Sequence, residues 1–324
     1  MDSFGRVIDY LRISITDQCD ERCFYCKPEP HEGWEHQPSP LTVDEIVRVA
    51  RVAAGLGFRK FRLTGGEPLV RSEVVEIIRA MAVIPGVACI GLSTNGTRLE
   101  PMAGRLRAAG LRTINVSLDA LNPDVYRRIT GGDVKKVVAG VRAAMAAGFE
   151  RVKLNCVLMR GVNEAEIWPL VMFAAEHGLP LRLIELMPLT KAGVLKEASF
   201  LPASEVMGWL REREELVPQP EAGLGWGPAK YYRLKQTGAL VGFIGAITSL
   251  RFCETCNKIR LTADGNLRAC LADHHAINLR GALRSNQGEA MLRAHLQTVL
   301  RQKPWEHRFC GRYRPGRPMI AIGG

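Results

Sequence analysis

The chain has 324 residues, with 44 Lys and Arg against 33 Asp and Glu, and a formal charge of +11. At 47% hydrophobic and 24% charged residues it has the composition of a globular protein, which excludes disordered, collagen-like and membrane-embedded chains. Nine cysteines, about 3% of the residues, are too few for a disulfide-stapled secreted scaffold.

The N-terminal MDSFGRVIDYLR carries no apolar leader, and the longest uncharged stretch, residues 80–97, is broken by Pro85-Gly86. A cytoplasmic protein is expected, in whose reducing surroundings clustered cysteines bind metal or do redox chemistry. The last 24 residues hold six basic side chains (Arg301, Lys303, Arg308, Arg312, Arg314 and Arg317) against Glu306 alone. That excess asks for an anion, and nucleic acid, acidic lipid and a nucleotide polyphosphate would all satisfy it.

In chain order, strand patterns fall at LRISIT (11–16), KFRLT (60–64), CIGLST (89–94), TINVSL (113–118), VKLNCVLM (152–159) and LRLIELM (181–187). Helices are predicted between them. The first runs from Val43 to about Leu56, with Thr42 and Glu45 in capping-box spacing and Val43, Ile46, Val47, Ala50 and Ala54 on its buried face. Others are placed near 72–84, 98–109, 133–147 and 163–177. Strand–helix alternation predicts a parallel sheet with right-handed crossovers, an incomplete (β/α)6 barrel of TIM type over residues 1–190. A second module over 191–324 is expected to pack on it. Its patterns are AKYYRL, ALVGFIGAIT and a hairpin, KIRLTA–Asp264-Gly265–NLRAC.

Chemistry concentrates in three places. Cys19, Cys23 and Cys26 follow the first strand in CxxxCxxC spacing, at the strand end where barrel active sites gather. Three thiolates suit a 4Fe-4S cluster with one iron free of protein ligands, whereas structural zinc wants four ligands, for which His31 or His36 would have to serve. Cys253, Cys256 and Cys270 form a second triad, and here His274 or His275 would complete a Cys3His zinc site, so zinc and a cluster both stand. Cys89, Cys156 and Cys310 read as packed thiols. Gly65-Gly66-Glu67-Pro68, after the second strand, offers a close backbone approach, an anionic acceptor in Glu67 and a helix start at Pro68.

Together these motifs resemble the radical S-adenosylmethionine enzymes, with Tyr25 before the third cysteine and GGEP after the second strand. Within them the chain is similar to the GTP 3′,8-cyclase family of molybdenum cofactor biosynthesis. LRISITDQC, RLTGGEPLVR, STNG, INVSLD, VKLNCVLMRGVN, LIELMPL, FCETCNKIRLTADGNLRACL and the terminal Gly323-Gly324 carry the resemblance. It implies a lyase with two 4Fe-4S clusters, one on Cys19, Cys23 and Cys26 that binds and cleaves S-adenosylmethionine, the other on Cys253, Cys256 and Cys270 facing GTP. His274 and His275 then become loop residues. It implies cosubstrate contacts at Tyr25, Gly66, Ser117 and Met187, and GTP contacts at Arg12, Arg62, Ser93, Lys153, Lys258, Ile259 and Arg260. The adenosyl radical would abstract the 3′ hydrogen of GTP and the ribose radical would close on C8 of guanine. The Gly323-Gly324 tail would enter the active site.

The family commonly has Arg and Thr where this chain has Lys258 and Ser93, so one bidentate fork and one methyl are missing. Expected partners are an electron donor and, functionally, cyclic pyranopterin monophosphate synthase, with a homodimer as a further possibility and neither membrane nor nucleic acid. Two other readings compete. A two-cluster enzyme maturing a peptide or sulfatase would carry more C-terminal cysteines. A zinc protein binding nucleic acid through the arginine tail would lose affinity steeply with salt.

Overall fold

The structure is a computed structural model. It describes all residues except 27–38, 190–198, 221–223, 225–226, 250, 286–287, 310–316 and 324. His31, His36, Cys310, Gly324 and the division expected at 190/191 lie outside the described residues.

The first two-thirds alternate as predicted: β1 (Tyr10–Ser14), α1 (Val43–Gly55), β2 (Lys60–Thr64), α2 (Val74–Ala82), β3 (Cys89–Thr94), α3 (Ala103–Ala108), β4 (Thr113–Ser117), α4 (Pro123–Thr130), α5 (Val134–Ala146), β5 (Arg151–Leu158), α6 (Ile167–Glu176) and β6 (Leu181–Glu185). The Thr42–Glu45 capping box is present in both directions, Glu45 N to Thr42 Oγ1 at 3.2 Å and Thr42 N to Glu45 Oε2 at 2.9 Å. Ile46, Val47 and Ala50 are buried, while Val43 and Ala54 are half-buried against the same core. Two details differ from expectation. Pro68 opens a single 3-10 turn, with α2 starting only at Val74. The short α4 was not predicted at all.

The C-terminal part adds α7 (Ala203–Arg213), β7 (Leu216–Pro218), β8 (Lys230–Leu234), β9 (Leu240–Ile244), β10 (Lys258–Leu261), β11 (Asn266–Arg268), β12 (Ile277–Asn278), α8 (Arg280–Leu283), α9 (Gly288–Arg301) and α10 (Met319–Ile322). The predicted hairpin is β10–β11, paired Arg260 to Arg268. These strands do more than pack on the barrel, for they extend its sheet at both edges in the order β12-β11-β10-β1-β2-β3-β4-β5-β6-β9-β8-β7. β10 runs parallel to β1 and β9 parallel to β6, so the parallel run is longer than the six strands predicted. No pairing between described strands joins its two edges, leaving an open barrel.

Alternate residues divide the two faces. Leu11, Ile13, Phe61, Leu63, Leu92, Ile114, Val116, Leu154 and Leu183 belong to the buried core that the helices cover. Between them in sequence, Tyr10, Arg12, Arg62, Ser93, Thr113, Asn115, Lys153, Asn155 and Arg182 face the interior. A closed barrel fills its interior with apolar side chains. Here the interior is polar and hollow.

Candidate active site

One cavity of about 380 Å³, within the range of small-molecule sites, occupies that interior. All six triad cysteines line it, so the fold brings together two groups that are more than two hundred residues apart.

The loop after β1 is fixed by its neighbours. Arg22 N donates to Thr130 O (2.7 Å), Phe24 N to Ile129 O (3.1 Å) and Cys26 N to Cys23 O (2.9 Å). Gly66 N and Glu67 N donate to Thr16 O and Gln18 O at 2.9 and 2.7 Å, and a Cβ on Gly66 would sit 2.1 Å from Gln18 O, so only glycine admits this approach. Asn95, after β3, donates to Asp20 Oδ1 at 2.8 Å and lies 3.9 Å from Cys19 Sγ.

Glu67 lines the cavity, and its carboxylate accepts from Leu69 N (2.9 Å), Thr94 Oγ1 (2.7 Å) and Asn95 N (2.6 Å), bracing the end of β3. Burial, against these bonds, pushes its pKa up to about 7. Tyr25 lines the cavity with its hydroxyl anchored on Asp119 Oδ2 at 2.7 Å. Asp119 is raised to about 6 by burial, and Glu21, bonded by Tyr126, to about 8 by burial and then the charges of Asp20, Asp119 and Glu67.

The thiols show what this wall lacks. Cys19 is pushed up to about 12 by burial, and then by the charges of Glu67, Cys26 and Asp20. Cys23 rises for the same first reason and through Cys26 and Glu21. Three soft ligands that repel one another beside carboxylates fit a cationic centre. At the second triad His274 and His275 are exposed and outside the cavity lining, which removes the proposed fourth zinc ligand. Among the described residues no three His, Cys, Asp or Glu side chains stand close enough to hold a single ion. Thiolates shared among the irons of a cluster need not meet at one point, so both donor sets fit iron–sulfur ligation better than zinc.

The opposite wall is basic. Arg12, Arg62 and Arg260 stand in register on adjacent strands. Arg62 donates to Tyr10 Oη (2.5 Å), Leu92 O (2.7 Å) and Thr113 Oγ1 (3.1 Å). Burial, then neighbouring arginines, pulls Arg12 down to about 9. Arg260 falls to about 10 by burial first, with Arg268 adding to the fall. Lys153 falls to about 6, through burial and then Arg182, Arg62 and Arg151, and donates to Leu224 O. Lys258, also lowered by burial, lies 5.5 Å over the Tyr10 ring. Cations crowded together out of water ask for a polyanion.

Ser93, Ser117 and Met187 line the cavity, Ser93 between β2 and β4 and Met187 against the small cluster of Leu271 and Phe309. Ile259 does not. Its side chain is 1% exposed in the core behind the sheet, so no contact through that side chain is available. Gly323 is buried at the mouth of β1 and β2, and its carbonyl accepts from Arg260 Nη1 at 2.5 Å.

Sequence reasoning missed Lys60, Arg151, Asn155, Arg182, Lys303 and His307, all lining the cavity. Arg182 bonds Asn155 Oδ1 at 2.7 Å, and Lys60 pairs with Asp9 at 2.7 Å. The first four share the strand alternation of Arg12, Arg62 and Lys153, and that alternation was the available signal.

Comparison with known proteins agrees with this geometry. The Radical SAM superfamily matches residues 13–174, and the family described as Molybdenum Cofactor Synthesis C matches residues 179–309. A GTP 3′,8-cyclase of Moorella thermoacetica is 44% identical over 324 residues, covering 100% of this chain and 99% of the relative. One from Pseudomonas savastanoi pv. phaseolicola is 43% identical over 316 residues, covering 95% and 93%. Among solved structures, Streptococcus suis SuiB bound to S-adenosylmethionine superposes with a TM-score of 0.61 at 14% identity, over 90% of this chain and 68% of that one. Native anSMEcpe with bound AdoMet gives 0.58 at 14%, over 88% and 83%. At such identities these two structures speak for the fold alone.

Proposed function

The chain belongs to the GTP 3′,8-cyclase family within the Radical SAM superfamily, and from that premise we propose that it converts GTP into (8S)-3′,8-cyclo-7,8-dihydroguanosine 5′-triphosphate. This is the first step of molybdenum cofactor biosynthesis. The observation that carries the reading is a single cavity lined by two cysteine triads and a desolvated basic wall. When bound, two 4Fe-4S clusters and S-adenosylmethionine supply the one-electron chemistry.

The chain's own residues hold and shield. Cys19, Cys23 and Cys26 would carry the first cluster, with Tyr25, Gly66, Ser117 and Met187 around the cosubstrate. Cys253, Cys256 and Cys270 would carry the second, which would meet the guanine base. Arg12, Arg62, Lys153, Lys258, Arg260 and the newly found Arg182 face the triphosphate, whose charge relieves their mutual repulsion. Ser93 would border the nucleotide. The buried Gly323 segment closes the mouth of β1 and β2 against water, and fixing the ribose against the adenosyl carbon lowers the barrier by orientation. Residues 1–190 would carry the first cluster, the cosubstrate contacts and most of the basic wall, and residues 191–324 the second cluster with Lys258, Arg260 and the Gly-Gly tail.

No helix among the described residues is long and apolar enough to cross a membrane. Cytoplasmic location, a separate electron donor, a homodimer and a functional link to cyclic pyranopterin monophosphate synthase complete the proposal. The test is anaerobic incubation with reductant, S-adenosylmethionine and GTP. Wild type should yield the cyclised nucleotide. Cys23→Ser should abolish cosubstrate cleavage, and Cys256→Ala should keep uncoupled cleavage without product. Unconsumed GTP in the wild-type reaction overturns the reading.

A further inference from the structure

Residues 303–307 lie far along the chain from the second cysteine triad, yet they meet each of its arms. Lys303 is 3% exposed, and its ammonium donates to Lys258 O at 2.8 Å and Ala269 O at 2.7 Å. Those carbonyls stand two residues after Cys256 and one before Cys270. Against the rise from burial, the charges of Lys303 and Lys258 draw the Cys256 thiol down. Four residues on, His307 N donates to Cys253 Sγ at 3.4 Å.

The strap is itself held. His307 Nδ1 accepts from Phe309 N at 3.3 Å, so Nε2 carries the proton and donates to Ala246 O at 2.6 Å. Arg6 donates to Pro304 O (2.6 Å), Trp305 O (2.8 Å) and Cys253 O (2.8 Å), while Asp2 Oδ2 holds its Nε at 2.6 Å. Arg6 and the strap of residues 304–307 therefore converge on the loop of Cys253.

By composition Lys303 belongs to the basic tail that asks for an anion. Its placement gives it another use. A buried ammonium is tolerated only when hydrogen-bonded and compensated. Here two backbone carbonyls accept from it, and the neighbouring group able to carry a full negative charge is the Cys256 sulfur. Hydrogen bonds to ligand sulfur and nearby charge are levers on the potential of an iron–sulfur centre, because a cation favours the more negative reduced state.

We propose that Lys303 is a positioning residue for the second cluster, tying the Cys256 arm to the Cys270 arm and raising that cluster's reduction potential through its charge. The inference rests on the two-cluster reading above.

The test compares full-length wild type, Lys303→Gln and Lys303→Met, each reconstituted anaerobically, by iron and sulfide content and by a redox titration followed by electron paramagnetic resonance. Lys303→Gln keeps N–H donors for the carbonyls and removes the charge. It should retain both clusters, with the midpoint of the second displaced downward and that of the first unmoved. Lys303→Met removes the donors too and should lose the second cluster's share of the iron while keeping the first, which serves as the internal check on folding. Wild-type iron and an unmoved second midpoint in Lys303→Gln overturn the inference even if Lys303→Met fails to fold. A wild-type protein that binds only one cluster's iron overturns the two-cluster reading instead, so the two failures are distinct.

Discussion

Lys153 shows at the scale of one residue how the cavity prepares for its ligand. In the free protein burial and three arginines hold it at about 6, so it is neutral above that pH. A triphosphate placed beside it restores the ammonium. Binding at about pH 8 should then take up close to one proton, and apparent affinity should fall with rising pH by up to about tenfold per unit above the last phosphate ionisation. The sign follows from a cation whose pKa is depressed without ligand and recovers with it. Calorimetry of GTP binding in buffers of different ionisation heat measures the uptake, and Lys153→Met should abolish it; equal uptake in that variant would assign the proton elsewhere. Gly91 makes a second case. A Cβ there would stand 2.5 Å from Arg62 Nη2 and 2.7 Å from Thr113 Oγ1, so the bare Cα is what lets the guanidinium lie flat on β3. Gly91→Ala should push Arg62 off Leu92 O and Thr113 and raise KM for GTP by about tenfold, roughly 1.4 kcal/mol, with the KM for S-adenosylmethionine unchanged. Steady-state kinetics with each substrate varied in turn distinguishes this from general loss of fold.

The elements were legible to the extent that their signals are local. Thr42 and Glu45 announce α1 because a capping box needs only four consecutive residues, and both reciprocal bonds are present. Thr42→Ala should cost about 1 kcal/mol, lowering the thermal midpoint by about 2 °C with little change in activity, as differential scanning calorimetry would register. The short α4 escaped a search for apolar period. Its evidence lay in its cap, where Asn122 Oδ1 accepts from Asp124 N and Val125 N and Pro123 opens the first turn. The strands were found, but their alternation was undervalued. That alternation puts Lys60, Arg62, Lys153 and Arg182 on the face of Arg12, and it was the signal available for Lys60 and Arg182. Glu67 is legible as an acceptor at a strand end, but its bonds to Thr94 and Asn95 depend on how β2 and β3 pair and carry no local signal.

What no local pattern carries is which edge a distant hairpin joins. Asp264-Gly265 predicts that β10 and β11 pair, and is silent on β10 lying parallel to β1, yet that pairing sets Arg260 beside Arg12 and brings Cys256 and Cys270 to the cavity of Cys19. The same convergence decides how the chain ends. Beyond α10 the backbone turns at Gly323, with φ +70, and an added Cβ would meet Ser14 Cβ at 3.0 Å and Thr64 Cγ2 at 3.2 Å. The Gly323 carbonyl meanwhile occupies Arg260 Nη1. A terminal segment left to fray would make neither contact. Gly323→Ala should therefore be worse than a neutral surface change, since it combines a left-handed conformation that favours glycine with contacts tighter than its neighbours tolerate. Removal of Gly323-Gly324 should leave the iron of both clusters and uncoupled cleavage of S-adenosylmethionine intact while cyclised product is lost, because Arg260 and the mouth of β1 and β2 lose their cover. Product analysis beside 5′-deoxyadenosine counting measures both at once. Full coupling in the truncated enzyme would mean that Gly323 packs against Arg260 without governing the reaction, and that the strand ends alone hold the ribose in place.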